Sequence, residues 1–263
     1  MNCKVSVTLL IASACVGLIA CSSDPASPAT PIDQIPVLGL VAYYPFNDNA
    51  TDASGNGFNG TPLRGVVFAS GRSSSAGMAA KFDGVAAFVR VPNARGTRLE
   101  TKDAFTYSLW LKGDKGAGIY PWSYILTKAA PYGNGFYMKW NHNSEQTLGL
   151  YLVEGASGAT TPFDLAGINN DEFIGDWHHI VYTWSKATGQ MTMYADGSPR
   201  AVKKDCRYQG SHSGETLEIG GYDYGATGGT GDIGSFPGAI DDVRIYDRVL
   251  TLKEIYILSQ EGK

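Results

Sequence analysis

The feature that most constrains the fold is a repeated alternation of short apolar runs and turn residues. From residue 37 onward, runs of four to nine residues, rich in β-branched and aromatic side chains, are bounded by Gly, Pro, Asn or Asp. The predicted strands are LGLVAYYPF (38–46), AAFVRV (86–91), FTYSLWLK (105–112), SYILTK (123–128), GFYMKW (135–140), LGLYLV (148–153), HHIVYTW (178–184), QMTMYA (190–195), LEIG (217–220) and AIDDVRIY (239–246). Many short strands without interleaved helices predict an all-β antiparallel sandwich or barrel.

The composition agrees with a turn-rich β fold. Glycine accounts for 33 of the 263 residues, against roughly 7% in typical proteins. A hydrophobic content of 43% excludes disorder, and a formal net charge of −4 without a basic stripe argues against a nucleic-acid partner. A single helix is predicted, TLKEIYILSQ (251–260), with Leu252, Ile255 and Tyr256 on one face.

The first twenty residues have the pattern of an export signal. Lys4 precedes an apolar run, residues 5–20, that is short for a membrane span. The run leads into LIAC (18–21), which resembles the lipobox of bacterial lipoproteins. This resemblance implies cleavage after residue 20, acylation of Cys21 and, because Ser22 follows, sorting to the outer membrane, on a face that the sequence leaves open. An ordinary secretory signal with an incidental cysteine is the alternative.

A tether and one domain are predicted to follow the signal. Residues 21–37 contain four prolines and several small polar residues, which is typical of an extended, semi-rigid linker. Residues 38–263 are expected to form a single domain. Removal of the signal leaves only Cys21 and Cys206, so the fold is expected to hold without an intrachain disulfide, with Cys206 as a buried thiol.

Three stretches in order resemble the laminin-G-like, concanavalin A-like jelly-roll family. They are GLVAYYPFNDNATDASGNGFNGT (39–61), GDWHHIVYTWSKATGQMTMYADGSPR (175–200) and GAIDDVRIYDRVLTLKEI (238–255). The resemblance implies two antiparallel sheets packed face to face, with a short C-terminal helix. It also implies that the chain binds carbohydrate, protein or glycosaminoglycan, and that a structural calcium ion lies where the two ends of the domain meet.

The candidate calcium ligands lie in an acidic loop and in the last strand. NDNATDASGNG (47–57) is dense in oxygen-bearing side chains, which suit Ca²⁺. Matching this loop and the last strand to the resembled family gives Asp48, Asp52, Asn56 and Asp241 as candidates. The alternative is a polar turn in which Asp and Asn side chains hydrogen-bond their own backbone.

The candidate ligand-binding residues are aromatic side chains in or beside loops. Trp122, Tyr132, Tyr222 and Tyr224 occur in GIYPWSY, PYGNGFYMKW and GGYDYGATGG. Aromatic rings stack on the apolar C–H faces of sugars, and loops on a rigid sandwich often carry binding sites. Padding of the core edges is the alternative for these rings.

No catalytic constellation is recognised. Glycosidases of this fold commonly carry Glu-x-Asp-x-x-Glu on one strand, and this chain has no such stretch. GTGDIG (229–234) matches Gly-x-Gly-x-x-Gly but does not open a helix. His178 and His179 alternate along a strand, so their side chains are expected to point to opposite faces and not to chelate one ion.

The sequence therefore predicts a non-enzymatic, carbohydrate-binding outer-membrane lipoprotein with a structural calcium site. A protein-binding adhesion or structural module is the first alternative, and a glycan-degrading enzyme with an atypical site is the second. The membrane contact is expected through the lipid anchor only.

Overall fold

The computed structural model describes residues 34–72, 77–92, 97–100, 102–115, 122–129, 135–141, 147–154, 161–209, 216–223 and 234–262. The predicted export signal, Cys21, Tyr132 and Tyr224 lie outside these residues. Residues Ile35–Lys263 form one compact unit. No described helix is long and apolar enough to cross a bilayer.

The strands form two antiparallel sheets. The first contains β1 (Leu40–Tyr44), β3 (Val67–Ser70), β4 (Met78–Asp83), β6 (Ala104–Gly113), β11 (His178–Ser185), β12 (Gln190–Ala195), β13 (Ser198–Lys203) and β15 (Pro237–Tyr246). The second contains β2 (Thr61–Leu63), β5 (Phe88–Val91), β7 (Trp122–Ala129), β8 (Gly135–Asn141), β9 (Thr147–Glu154), β10 (Thr161–Asn169) and β14 (Leu217–Ile219).

Both sheets combine pairs of consecutive strands with pairs of strands that are distant in the sequence. The eight-stranded sheet has the order β13-β12-β11-β6-β15-β4-β3, and β1 also pairs with β15. The seven-stranded sheet has the order β10-β9-β8-β7-β14-β5-β2. The chain thus passes repeatedly between the sheets, and the predicted two-sheet antiparallel sandwich is confirmed.

The main core lies between the two sheets and follows the alternation of the strands. In β11, Ile180 and Tyr182 point into this core, and in β8 Phe136 and Met138 do so. Successive strand residues face opposite sides, so the residues between them point away from the core. This alternation decides which side chains are available for binding on the outer face of each sheet.

A short 3₁₀ helix (Arg98–Glu100) and two α-helices, α1 (Asn170–Phe173) and α2 (Leu252–Gln260), complete the described elements. A capping box starts α2, in which the Thr251 hydroxyl accepts the Glu254 N–H at 3.3 Å and the Glu254 carboxylate accepts the Thr251 N–H at 2.8 Å.

The predicted helix is present, but its buried face differs from the expected one. Ile255 and Leu258 are buried in a second, smaller core with Val181 of β11. Leu252 and Tyr256, which were expected to share the buried face with Ile255, are exposed. The helix docks through the i, i+3 pair Ile255 and Leu258, which leaves the Leu252 side to solvent.

Candidate ligand-binding site

The acidic loop between β1 and β2 is organised by the Asp52 carboxylate. Its Oδ1 accepts the N–H groups of Tyr43 at 3.0 Å and Ser54 at 2.9 Å, and its Oδ2 accepts the Phe58 N–H at 3.0 Å. Asp52 is only 7% exposed. A buried carboxylate that accepts several backbone N–H groups fixes the course of the chain, so Asp52 holds the loop against β1.

The other two candidates in this loop have different environments. The Asn56 amide donates to the carbonyls of Val41 at 2.9 Å and Leu40 at 3.2 Å, and thereby extends the contact between the loop and β1. Asp48 is exposed and has a φ of 68°, a left-handed conformation that Asp tolerates better than most residues.

Asp241 belongs to a separate ionic network on the outer face of the eight-stranded sheet. A β-bulge between Asp241 and Arg244 places two consecutive carboxylates, Asp241 and Asp242, beside the Arg72 guanidinium. Arg72 is 3.3 Å from Asp241, ion-pairs with Asp242 and stacks at 4.3 Å from the Trp110 ring centroid. Burial raises the pKa of Asp241 to about 7, the neighbouring Asp242 adds to this shift, and Arg72 opposes it.

The four predicted calcium ligands are therefore not brought together by the described residues. Asp52 and Asn56 bind backbone groups of β1, whereas a guanidinium is the counter-charge of Asp241. Among the described residues, no group of three or more His, Cys, Asp or Glu side chains is placed to hold a metal ion. This donor set does not fit one cation here, and calcium binding stays a prediction.

The two adjacent histidines have separate structural roles. His179 is buried, and its Nε2 lies 2.8 Å from the Ser108 hydroxyl on the outer face of the eight-stranded sheet. The His178 Nδ1 lies 2.7 Å from the carboxylate of Asp196, and this hydrogen bond raises the pKa of His178. Their side chains diverge, as the strand alternation predicts.

A group of aromatic and basic side chains lies on the outer face of the seven-stranded sheet. Strand pairing aligns Tyr124 with Lys139 and Tyr137 with Tyr151. Residues on either side of Lys139 and of Tyr151 point into the core, so these two side chains point outward. We call Trp122, Tyr137, Lys139 and Tyr151 the aromatic patch.

Lys139 links the two ends of the aromatic patch. Its Nζ lies 4.2 Å from the ring centroid of Tyr151 and 5.2 Å from that of Trp122. Trp122 is 37% exposed, and Tyr137, Lys139 and Tyr151 are partly exposed. The patch offers flat apolar ring surface beside a cation, a combination that can receive the C–H face and a polar group of one ligand.

Tyr222 does not offer the exposed ring that the sequence suggested. It is 2% exposed, and its hydroxyl donates to the Ala129 carbonyl at 3.0 Å. Its ring lies 5.4 Å from that of Tyr124 and 5.7 Å from that of Tyr137, centroid to centroid. Tyr222 therefore supports the patch from beside it, and the prediction that it stacks on a ligand is corrected accordingly.

A charged cluster lies on the same outer face, two strands beyond the patch. Strand pairing aligns Thr127, Glu218 and Arg90 across β7, β14 and β5. The Arg90 guanidinium binds Glu218 at 2.8 Å and Asp223 at 3.0 Å. Burial raises the pKa of Glu218. Because both carboxylates bind one guanidinium, neither is arranged as a separate acid or base.

Sequence reasoning identified Trp122 but missed Lys139 and Tyr151. Both occur in runs predicted correctly as strands, GFYMKW and LGLYLV, at positions that alternate with core residues. The signal in the sequence was a lysine or tyrosine that alternates with core residues along an otherwise apolar strand, because such a side chain must point away from the core. The pairing of β8 with β9, which brings the two side chains together, is a long-range property of the fold.

Comparison with known proteins places the fold in a family. Residues 83–256 match the family model described as the concanavalin A-like lectin/glucanases superfamily, of laminin G type. Neuronal pentraxin-1 of Rattus norvegicus is 28% identical over 158 residues, which are 59% of this chain and 33% of that protein. The chain thus matches about a third of the length of this curated relative.

Solved structures agree in fold at low sequence identity. Domain 4 of AbnA, a GH43 extracellular arabinanase from Geobacillus stearothermophilus determined in complex with arabinotriose, aligns with a TM-score of 0.59 and 20% identity over 84% of this chain and 98% of that one. The binding domain of botulinum neurotoxin DC in complex with rat synaptotagmin II aligns with a TM-score of 0.65 and 15% identity over 87% and 53%. With the family model covering most of the domain, the chain belongs to the concanavalin A-like lectin/glucanases superfamily.

Proposed function

We propose that this chain is a non-enzymatic carbohydrate-binding module of the bacterial cell envelope, and that it binds glycan at the aromatic patch. The observation that carries the proposal is the placement of Trp122, 37% exposed, on the same outer face as Tyr137, Lys139 and Tyr151. Sugar rings have apolar C–H faces that pack on aromatic rings, and their hydroxyls pair with nearby polar groups.

Two further observations support this assignment. The arabinanase domain of similar fold was determined with a bound oligosaccharide. The described acidic pair on the same face, Glu218 and Asp223, binds Arg90 instead of lying on two sides of an open cleft. Glycoside hydrolysis needs two carboxyl groups that flank the scissile bond, so a binding role is favoured over catalysis.

Binding to immobilised polysaccharides tests the proposal. The mature chain is run through native gels that contain a panel of neutral and acidic polysaccharides, and retained ligands are titrated by calorimetry. Trp122→Ala should weaken binding at least tenfold, which is about 1.4 kcal/mol, at an unchanged melting temperature. Val202→Ala, which removes an exposed valine from β13 of the other sheet, is the matched control and should bind normally.

The outcomes separate the proposal from its alternatives. Equal binding by Trp122→Ala and the native chain would place the glycan elsewhere. Absence of retention by every polysaccharide would favour a protein-binding module, a possibility that the neurotoxin complex with synaptotagmin illustrates for this fold. Release of reducing sugar from a retained polysaccharide would favour an enzyme.

The envelope part of the proposal rests on acylation of Cys21. Cells fed an alkyne fatty acid should label the chain, and Cys21→Ala should abolish the label. The calcium ion stays a separate prediction, which chelation tests: loss of a structural ion should lower the melting temperature, and addition of Ca²⁺ should restore it.

A further inference from the structure

The outer face of α2 exposes two large hydrophobic side chains beside polar ones. Leu252 is 61% exposed and Tyr256 is 57% exposed. The two residues are four positions apart, so they lie on one face of the helix. Ile255 and Leu258 fill the adjoining, buried face. A surface helix usually has polar residues on its outer face, so these two exposed side chains depart from that pattern.

Neighbouring segments extend this apolar surface. Val37 and Leu38 are 74% and 76% exposed, and Val249 is 40% exposed. The Arg248 guanidinium donates to the Leu38 carbonyl at 2.7 Å, and this contact holds residues 37–39 beside the chain that leads into α2. We call Val37, Leu38, Val249, Leu252 and Tyr256 the terminal patch.

The terminal patch contains more than half of the exposed large hydrophobic side chains of the described residues. Nine large hydrophobic side chains are exposed among the described residues, and five of them belong to this patch. Exposed apolar residues scattered singly are normal, whereas a group with a polar rim marks a contact with a partner or a membrane. The grouping of these side chains in two adjacent segments therefore indicates that this surface contacts a partner or a membrane.

The rim of the patch is charged. Arg98 pairs with Asp247 at 2.8 Å, Arg248 pairs with Glu254 at 3.0 Å, and Lys253 is exposed on α2. An apolar surface of this kind, with a tyrosine whose ring is apolar and whose hydroxyl is polar, suits the interface between lipid chains and headgroups.

The position of the patch in the chain indicates which surface it meets. Val37 ends the predicted tether and Leu38 follows it. The twelve residues 22–33 can span at most about 40 Å when fully extended, so an anchor at Cys21 would keep these residues close to the bilayer. We propose that the terminal patch is a membrane-contact surface, which lays this end of the domain on the phospholipid headgroups. This inference rests on the envelope part of the proposed function and is independent of glycan binding.

The test replaces the natural anchor, so that a failure of acylation cannot hide the result. Residues 22–263, with an N-terminal polyhistidine tag, are held on vesicles of phosphatidylcholine and phosphatidylglycerol that contain a nickel-chelating lipid. A bimane label is attached to Val249→Cys, in the patch, or to Val202→Cys, an exposed valine on β13. Native Cys206 is buried, so the label goes to the introduced cysteine.

Quenching of the label by doxyl-labelled lipid is then measured. Quenching at position 249 should be at least threefold stronger than at position 202. The double change Leu252→Gln/Tyr256→Gln should remove this difference, whereas Val67→Gln/Val85→Gln, which removes two exposed valines elsewhere, should leave it intact. Melting temperatures confirm that each variant is folded.

Two results would overturn the inference. The first is equal quenching at positions 249 and 202. The second is a dimer of the untethered chain in sedimentation that Leu252→Gln/Tyr256→Gln converts to monomer, because the patch would then contact a second copy. Neither readout includes a glycan, so failure of the aromatic patch to bind sugar leaves both results interpretable.

Discussion

Asp52 offers the sharpest test of how the acidic loop is held. Its carboxylate accepts three backbone N–H groups, from Tyr43, Ser54 and Phe58, at 2.9 to 3.0 Å. Replacement of Asp52 by Ala removes all three acceptors and leaves the Tyr43 N–H, on strand β1, without this partner. The variant therefore measures what the carboxylate contributes to the attachment of the loop.

The expected loss is a substantial part of the stability. Hydrogen bonds to charged groups contribute about 1.5–3 kcal/mol each and are not additive. Because the loop is partly exposed and water can replace some contacts, we expect Asp52→Ala to lower the free energy of unfolding by about 3 kcal/mol. At about 2–4 °C per kcal/mol for a domain of this size, the melting temperature should fall by about 6–12 °C.

Urea denaturation followed by tryptophan fluorescence, with EDTA and again with Ca²⁺, provides the assay. Asp48→Asn is the matched control, because Asp48 is an exposed acid of the same loop whose positive φ Asn also tolerates; its effect should stay within about 0.5 kcal/mol. If Asp52 acts only by binding backbone, its loss costs the same in both buffers. A loss below about 1 kcal/mol, or one seen only with Ca²⁺, would refute this reasoning.

Three further predictions concern buried groups. Because burial raises the pKa of Asp241 to about 7, the folded chain retains a proton that the unfolded chain releases near pH 4. Native stability should therefore fall relative to Asp241→Asn as the pH rises from about 4 to 7, and parallel urea-denaturation profiles would contradict this. Arg72→Met removes the guanidinium that Asp241 and Asp242 share. Because Asp242 keeps the Tyr43 hydroxyl at 2.6 Å and Arg244 at 3.5 Å, the variant should cost about 3 kcal/mol in the same assay, the lower end for a broken buried ion pair, with partial recovery in Arg72→Met/Asp242→Asn. In residues 22–263, where Cys206 is the only cysteine, its thiol, 1% exposed, should react with Ellman's reagent only in denaturant, and rapid reaction of that chain without denaturant would refute its burial.

The strands with strong apolar content could be predicted from the sequence, and the weak ones could not. Each predicted run overlaps a strand of the structure, because β-branched and aromatic residues bounded by turns have few other ways to bury their side chains. Five strands were missed: β2 (TPL), β3 (VFAS), β4 (MAAKFD), β10 (TPFDLAGIN) and β13 (SPRAVK). All but β4 lie at the ends of their sheets, so the pairing of a neighbouring strand defines them more than their own pattern does.

The sequence could indicate single residues of the candidate site, but not which of them the fold brings together. The exposure of Trp122 follows from its position at the start of a strand, where one face is turned from the core. The burial of Tyr222 depends on Tyr124 and Tyr137, which come from strands about a hundred residues earlier in the chain. Likewise, the pairing of Asp241 with Arg72 joins positions 169 residues apart. Composition of a loop indicates which ligands it could bind, but distant partners decide whether its side chains remain available.

The outer faces of the two sheets differ in what a ligand would have to displace, and this difference favours the seven-stranded sheet as the proposed binding face. On the eight-stranded sheet, α2 covers part of the face, and Arg72, Asp241 and Arg244 are buried in ion pairs on another part. A ligand that entered there would have to separate buried charges, which is costly. On the seven-stranded sheet, a ligand that packs on the exposed part of the Trp122 ring displaces water from apolar surface, which is favourable, and separates no buried ion pair among the described residues of the aromatic patch. Trp122→Ala should therefore lose binding and keep stability, whereas Arg72→Met should lose stability and, once folded, keep binding.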